Sequence, residues 1–143
     1  QHWMLFNTDF GGIMNDDWSY KTPEQIEGLG NNYSQVGPKG NTFIAACDMW
    51  TANLYANVPY KFAVEATTFK PTNYPPFFIQ MRYLIQDGTP SFSDTKDLNT
   101  EHVLAEDFNA MDSTQINMQF RVPFGNVPAG QYDGTITFKM YSV

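Results

Sequence analysis

The residues best equipped for chemistry in this chain are few and scattered. The two histidines, His2 and His102, stand at opposite ends of the sequence. A copper histidine brace needs histidine at the very N-terminus, where Gln1 stands. The single cysteine, Cys47, lies near Ala45, Ala46 and Met49, a setting for a small buried hydrophobe rather than a reactive thiol. No Cys/His spacing fits zinc. Asn15-Asp16-Asp17 and Asp94-Thr95-Lys96-Asp97 offer oxygens to calcium, but neither follows an EF-hand spacing and both read as turns. There is no Gly-x-Ser-x-Gly, no P-loop and no dinucleotide fingerprint. Glu65, Glu101 and Glu106 are lone carboxylates with nothing to pair them for acid–base work. No catalytic residue, metal ligand set or cofactor emerges, and the expectation is a protein that is not an enzyme.

Aromatic side chains are the richer resource. They make up 16% of the chain, within a hydrophobic share of 42%, which argues against intrinsic disorder. Trp3, Trp18, Trp50, Tyr20, Tyr33, Tyr55 and Tyr74 would suit a sugar-stacking platform if exposed together, because a flat ring offers an apolar face with a polar rim. Otherwise they belong to a core or a subunit interface. The net charge is −7, and the eight basic residues are scattered singly, so neither nucleic acid nor an acidic membrane surface is an expected partner. Charged residues are only 16% of the total, and the polar surface is drawn from Asn, Gln, Thr and Ser, as in strand-rich extracellular proteins. No stretch is apolar for long enough to span a membrane as a helix. The first residue is Gln1 rather than Met, the form a signal-processed chain takes, and the expected location is extracellular, at the cell surface. Asn32-Tyr33-Ser34 is a glycosylation sequon in a loop-like stretch.

The elements that must carry these residues are strands. A length of 143 residues suits one domain, able to hold a core without metal or disulfide. Apolar and polar residues alternate through Tyr60, Phe62, Val64 and Ala66; through Ile79, Met81, Tyr83 and Ile85; through Ile116, Met118, Phe120 and Val122; and through Ile136, Phe138 and Met140. Strands are expected near 43–55, 60–69, 77–86, 116–122 and 131–142. Asn57-Val58-Pro59 reads as a hairpin connection between the first two. Thr22-Pro23-Glu24-Gln25 carries an N-cap, a first-turn proline and a capping-box glutamine, enough for a turn or two of helix. Residues 100–111 read as a loop with helical turns, because Leu104, Phe108 and Met111 have helical spacing. Short strands punctuated by Pro and Gly predict an all-β fold, an Ig-like antiparallel β-sandwich.

The stretch Val127-Pro128-Ala129-Gly130-Gln131-Tyr132-Asp133-Gly134-Thr135-Ile136-Thr137-Phe138-Lys139-Met140-Tyr141 resembles the C-terminal strand of bacterial pilins of the chaperone–usher and spore-coat-U-like group. Asn57-Val58-Pro59-Tyr60-Lys61-Phe62 looks like an early hairpin of the same group. The resemblance is sharp over one strand and softer from about Phe43 onward. It implies a sandwich that lacks a strand and is completed by a neighbour's N-terminal segment. Many members carry an early disulfide, which one cysteine cannot supply. Residues 1–14 would be an N-terminal extension and 15–143 the domain. Met4, Phe6, Thr8 and Phe10 form one alternating face, and Trp3 and Leu5 add apolar bulk to the other, so these six are the candidate donor strand. Tyr132, Gly134, Ile136, Phe138 and Met140 are the candidate acceptor groove, with Gly134 leaving a space on the inward face. The expected partners are copies of the chain or related subunits, with an assembly chaperone as a second class. The resulting expectation is a structural subunit of an extracellular filament or pilus assembled by donor-strand exchange. The rival is a secreted carbohydrate-binding module or adhesin domain that uses its aromatics.

Overall fold

The computed structural model describes residues 12–25, 43–47, 49–86, 91–124 and 132–143. The fold is all-β, with antiparallel sheets packed face to face. In chain order the strands are β1 (Gly12–Met14), β2 (Phe43–Ala46), β3 (Trp50–Leu54), β4 (Tyr60–Ala66), β5 (Thr68–Phe69) and β6 (Phe77–Phe78). They continue with β7 (Gln80–Ile85), β8 (Lys96–Asp97), β9 (His102–Phe108), β10 (Thr114–Phe124) and β11 (Ile136–Ser142). One sheet has the order β1-β2-β10-β7-β8, with β3 also on β10, and the facing sheet has the order β11-β4-β9. β5 and β6 form a short separate ribbon.

The long strand β10 organises the core. Its inward row, Ile116, Met118, Phe120 and Val122, is no more than 2% exposed. Met81 and Ile79 extend that row sideways, and Tyr60, Phe62 and Val64 face it from β4. The period-2 alternation is what separates these residues from Lys61 and Glu65 on the outer side. Tyr60 stacks on Phe108 at 5.1 Å, and its buried hydroxyl has no hydrogen-bond partner.

With β1, β2, β10 and β7 standing for strands A, B, E and D, the first sheet has the order of an immunoglobulin-type sandwich. β4 and β11 then take the places of C and F. No strand of the described residues fills the place of G beside β11. β9 flanks β4 on its other side, although it follows β7 in the chain.

Four sequence expectations need correction or refinement. Residues 100–111 contain the strand β9, not helical turns. Leu104 and Phe108 are both buried, and a spacing of four satisfies a strand's period as well as a helix's. The register of β9 on β4 shifts at Phe62 and Ala63, a bulge that blurs the alternation. The connection at Asn57-Val58-Pro59 is not a hairpin, because β3 pairs with β10 while β4 pairs with β11 and β9. It is an arch that carries the chain from one sheet to the other. The expected strand 43–55 is two strands, β2 and β3, which meet successive halves of β10. Gly12–Met14, expected within the N-terminal extension, is a strand of the first sheet.

Residues 23–25 are helical, with the capping box in place: Thr22 N–H donates to Gln25 Oε1 at 2.8 Å, and Gln25 N–H donates to Thr22 Oγ1 at 3.2 Å. Residues 15–20 form a loop that closes the outer face of the first sheet. Trp18, held at φ 67°, packs against Met14, Ile44 and Ala46 and lies under the Arg121 guanidinium at 4.2 Å and the Arg82 guanidinium at 5.0 Å. Arg121 donates to Gln80 and to the Asp16 carbonyl, and burial lowers its pKa.

Phe120→Ala is expected to cost about 3–5 kcal/mol, read from urea unfolding, because it empties the centre of the sandwich. Tyr60→Phe removes a buried, unpartnered hydroxyl and is expected to leave stability unchanged or raise it by about 1 kcal/mol in the same assay.

Candidate functional site

The candidate site is the open side of the sandwich, where β11 ends one sheet and β3 lies at the margin of the other. Backbone geometry fixes what β11 presents there. The Thr135 carbonyl accepts from Thr67 N–H at 3.0 Å, and Val143 N–H donates to the Pro59 carbonyl at 3.0 Å, so the odd-numbered residues turn their backbone groups toward β4. Along a strand these groups alternate in direction as the side chains do. Ile136, Phe138, Met140 and Ser142 therefore turn their N–H and C=O groups to the outer edge, which no strand of the described residues pairs. The same residues aim their side chains inward: they lie opposite Ala66, Val64, Phe62 and Tyr60, and the Phe138 ring meets Phe62 at 6.0 Å and Phe120 of the facing sheet at 6.4 Å.

An inward apolar row should be covered, but this one is not. Phe138 is 41% and Met140 46% exposed. Across the gap Trp50 is 44% exposed, its ring edge-on to Phe120 at 5.1 Å. Between the sheets at the N-terminal end of β11 is a cleft of about 280 Å³. Cys47, Trp50, Phe120 and Val122 wall it on one side, and Tyr132, Gly134 and Ile136 on the other. Phe69 and Ile79 complete the lining, on which Asp133 is the one charged residue among the described residues. An apolar cavity of roughly 150 Å³ holds a benzene ring, so this volume has room for one or two ring-sized side chains.

The five residues expected for the groove thus share one segment. Tyr132, Gly134 and Ile136 line the cleft, and Phe138 and Met140 continue its wall. The space expected beside Gly134 is taken by the chain itself, since a Cβ there would sit 2.8 Å from Phe69 Cζ. Phe69 cannot easily yield, because it stacks on Phe77 at 4.8 Å and meets Tyr132 edge-on at 6.2 Å. The opening lies between Gly134 and the facing sheet instead. Trp50, Cys47, Phe69 and Ile79 join the site without having been singled out for it; Trp50 alone carried a signal, being in step with Ala52 and Leu54 on β3. The six donor candidates, Trp3, Met4, Leu5, Phe6, Thr8 and Phe10, lie outside the described residues, as do Tyr33 and the sequon at Asn32. The remaining aromatics do not share one face. Trp18 is on the outer side of the first sheet, Trp50 is at the cleft, and Tyr55 is at the β3–β4 arch, its hydroxyl donating to Met111 Sδ.

The other face of β11 is tightly held. Lys139 Nζ reaches Glu65 at 2.6 Å and Glu101 at 3.1 Å, and Tyr141 donates to Glu101 at 2.6 Å. Lys61 Nζ lies over the Tyr141 ring at 5.1 Å. The hydrogen bond from Tyr141, then that from Lys139, holds the Glu101 carboxyl below its usual pKa, while Glu65 and Glu101 raise that of Lys139. Among the described residues no cluster of three or more His, Cys, Asp or Glu suits a metal, and no helix is long and apolar enough to cross a membrane.

Gly134→Ala is expected to cost about 1–3 kcal/mol in thermal unfolding, with part recovered by adding Phe69→Leu. The Glu101 contribution is present above the unfolded carboxylate pKa of about 4.3 and disappears as pH falls through its lower folded value. The melting temperature should therefore drop more between pH 6 and pH 3 in the native protein than in Glu101→Gln. Comparison of the chain with family models, with curated proteins and with solved structures finds no match.

Proposed function

We propose that this protein is a structural subunit of an extracellular filament, joined to its neighbours by strand donation and performing no catalysis. The observation that supports this most strongly is the state of β11. Phe138 and Met140 of its inward row are each more than 40% exposed, and no strand of the described residues pairs its outer backbone edge, on the same residues and the same side. An edge of that kind invites another chain to add to it, and monomeric proteins normally blunt such edges with charge, proline or a covering loop. Here Lys139, Glu65 and Glu101 lie on the opposite face, away from an incoming strand, and Asp133 stands at the cleft end of the segment.

The occupant suggested by the sequence is the segment Trp3–Phe10 of a neighbouring copy. Its Met4, Phe6, Thr8 and Phe10 have the period that the row Ile136, Phe138 and Met140 requires. The donated backbone would complete the ladder, and its apolar side chains would fill the cleft and cover Phe138, Met140 and Trp50. A contact that joins one end of a subunit to a different surface of the next is heterologous and grows into a filament unless the rotation closes a ring. The carbohydrate-binding reading has less support, because the described aromatics point to different faces.

Deleting residues 1–10 should give subunits that no longer assemble and that melt at a lower temperature. Adding a peptide of that sequence in trans should restore the melting temperature and slow amide exchange at Ile136, Phe138 and Met140, the residues facing the open edge. An unchanged melting temperature together with normal assembly would reject the proposal.

A further inference from the structure

The outward face of β11 carries an arrangement that the strand-donation reading leaves unexplained. Glu101 stands just before β9, at the far side of the three-stranded sheet, yet it is bonded to two side chains of β11, Tyr141 Oη at 2.6 Å and Lys139 Nζ at 3.1 Å. The link therefore crosses the whole width of β4. The residue beneath it is Ala63, which lies between Lys139 and Val103 in the sheet and is fully buried although its side chain faces outward. A small residue there lets the longer side chains close over it. From β4, Glu65 takes the other side of Lys139 at 2.6 Å and Lys61 lies over Tyr141. His102, the next residue after Glu101, pairs with Val64 and so belongs to the opposite face. Two of the three outward residues of β11 are thus held by one carboxylate on the third strand.

We propose that Glu101 is a positioning residue for strand addition, clamping β11 flat from its outward face so that the open edge keeps the geometry an incoming strand needs. The proposal rests on the strand-donation reading. An edge strand with Phe138 and Met140 of its inward row largely uncovered lacks the packing that normally holds such a strand down, and local opening is easiest where buried apolar contacts are fewest. A single exposed ion pair would contribute little, but a carboxylate shared by an ammonium and a phenol, with a second carboxylate on that ammonium, is a network with fixed geometry. Holding the acceptor strand in place before binding reduces the ordering cost at the moment of addition. The apolar inner face then remains free for the partner, and the electrostatic outer face does the holding.

Amide hydrogen exchange on the full chain tests this directly. The informative amides are Thr137, Lys139, Tyr141 and Val143, which point toward β4 and report fraying of β11. In Glu101→Ala they should exchange roughly three- to tenfold faster at neutral pH, with Phe120 and Val122 of β10 unchanged, and filament growth followed by light scattering should slow. Tyr141→Phe should show a smaller effect of the same kind. In the native protein the exchange of these amides, corrected for intrinsic rates, should rise as pH falls below the carboxylate range, and in Glu101→Gln that rise should be smaller, Glu65 on Lys139 being the carboxylate that remains. Unchanged exchange on β11, or an equal acceleration on β10 and β11, would overturn the clamp. If the native chain forms no filaments at all, strand donation fails as a reading, and the exchange data still decide whether Glu101 holds β11.

Discussion

A β-strand sets its side chains and its backbone groups in a fixed phase, and on β11 both fall on the same open side. Ile136, Phe138 and Met140 direct apolar side chains into the sandwich and, out of its edge, backbone groups that no strand of the described residues pairs. Satisfying either need alone does not satisfy the other. A loop laid over the cleft would cover the rings but leave the ladder open, and water would serve the backbone while wetting the rings. Only another extended segment with matching alternation answers both. The strand order points the same way, because the place beside β11 that no strand of the described residues takes is the one that strand G takes in a complete immunoglobulin-type sheet.

The rest of the domain is arranged so that this edge exists without collapsing. β10 buries Ile116, Met118, Phe120 and Val122 in a core shared with β4, β7 and β3, and that core does not depend on the cleft being filled. The ring stack of Phe69, Phe77 and Tyr132 closes the lower end and fixes Gly134 against it. On the far side of the other sheet, Trp18 packed under Arg121 and Arg82 ties the loop after β1 to the surface. Rigid walls and a bare edge are separate features of the fold, carried by different residues.

Much of this framework was legible from alternation alone. The rows at Tyr60–Val64, Ile79–Ile85, Ile116–Val122 and Ile136–Met140 were each readable because period 2 leaves no other assignment when polar and apolar residues strictly take turns. β9 was hidden because Leu104 and Phe108 fit two periods and a bulge disturbs the register. The arch at Asn57–Pro59 was mistaken for a hairpin because turn residues signal a reversal, not the sheet to which the chain returns. The groove was legible as a strand but not as a cleft. Which side chains face it across the gap depends on sheet packing, so Cys47 carries no local mark of it and Trp50 only its step with Ala52 and Leu54, and the contact between Phe69 and Gly134 joins residues far apart in sequence. That Phe138 and Met140 remain exposed is likewise a tertiary property, since their pattern is that of any buried row.

The most direct test of the account is a reconstruction, by electron cryomicroscopy, of the assembled protein at a resolution that traces strands. The account predicts an added strand along the outer edge of β11, with its alternate side chains over Phe138 and in the cleft beside Trp50, leading by continuous density to Gly12 of a neighbouring copy. An added strand that leads back to Gly12 of the same copy, or a β11 edge left bare at every junction between copies, would contradict it.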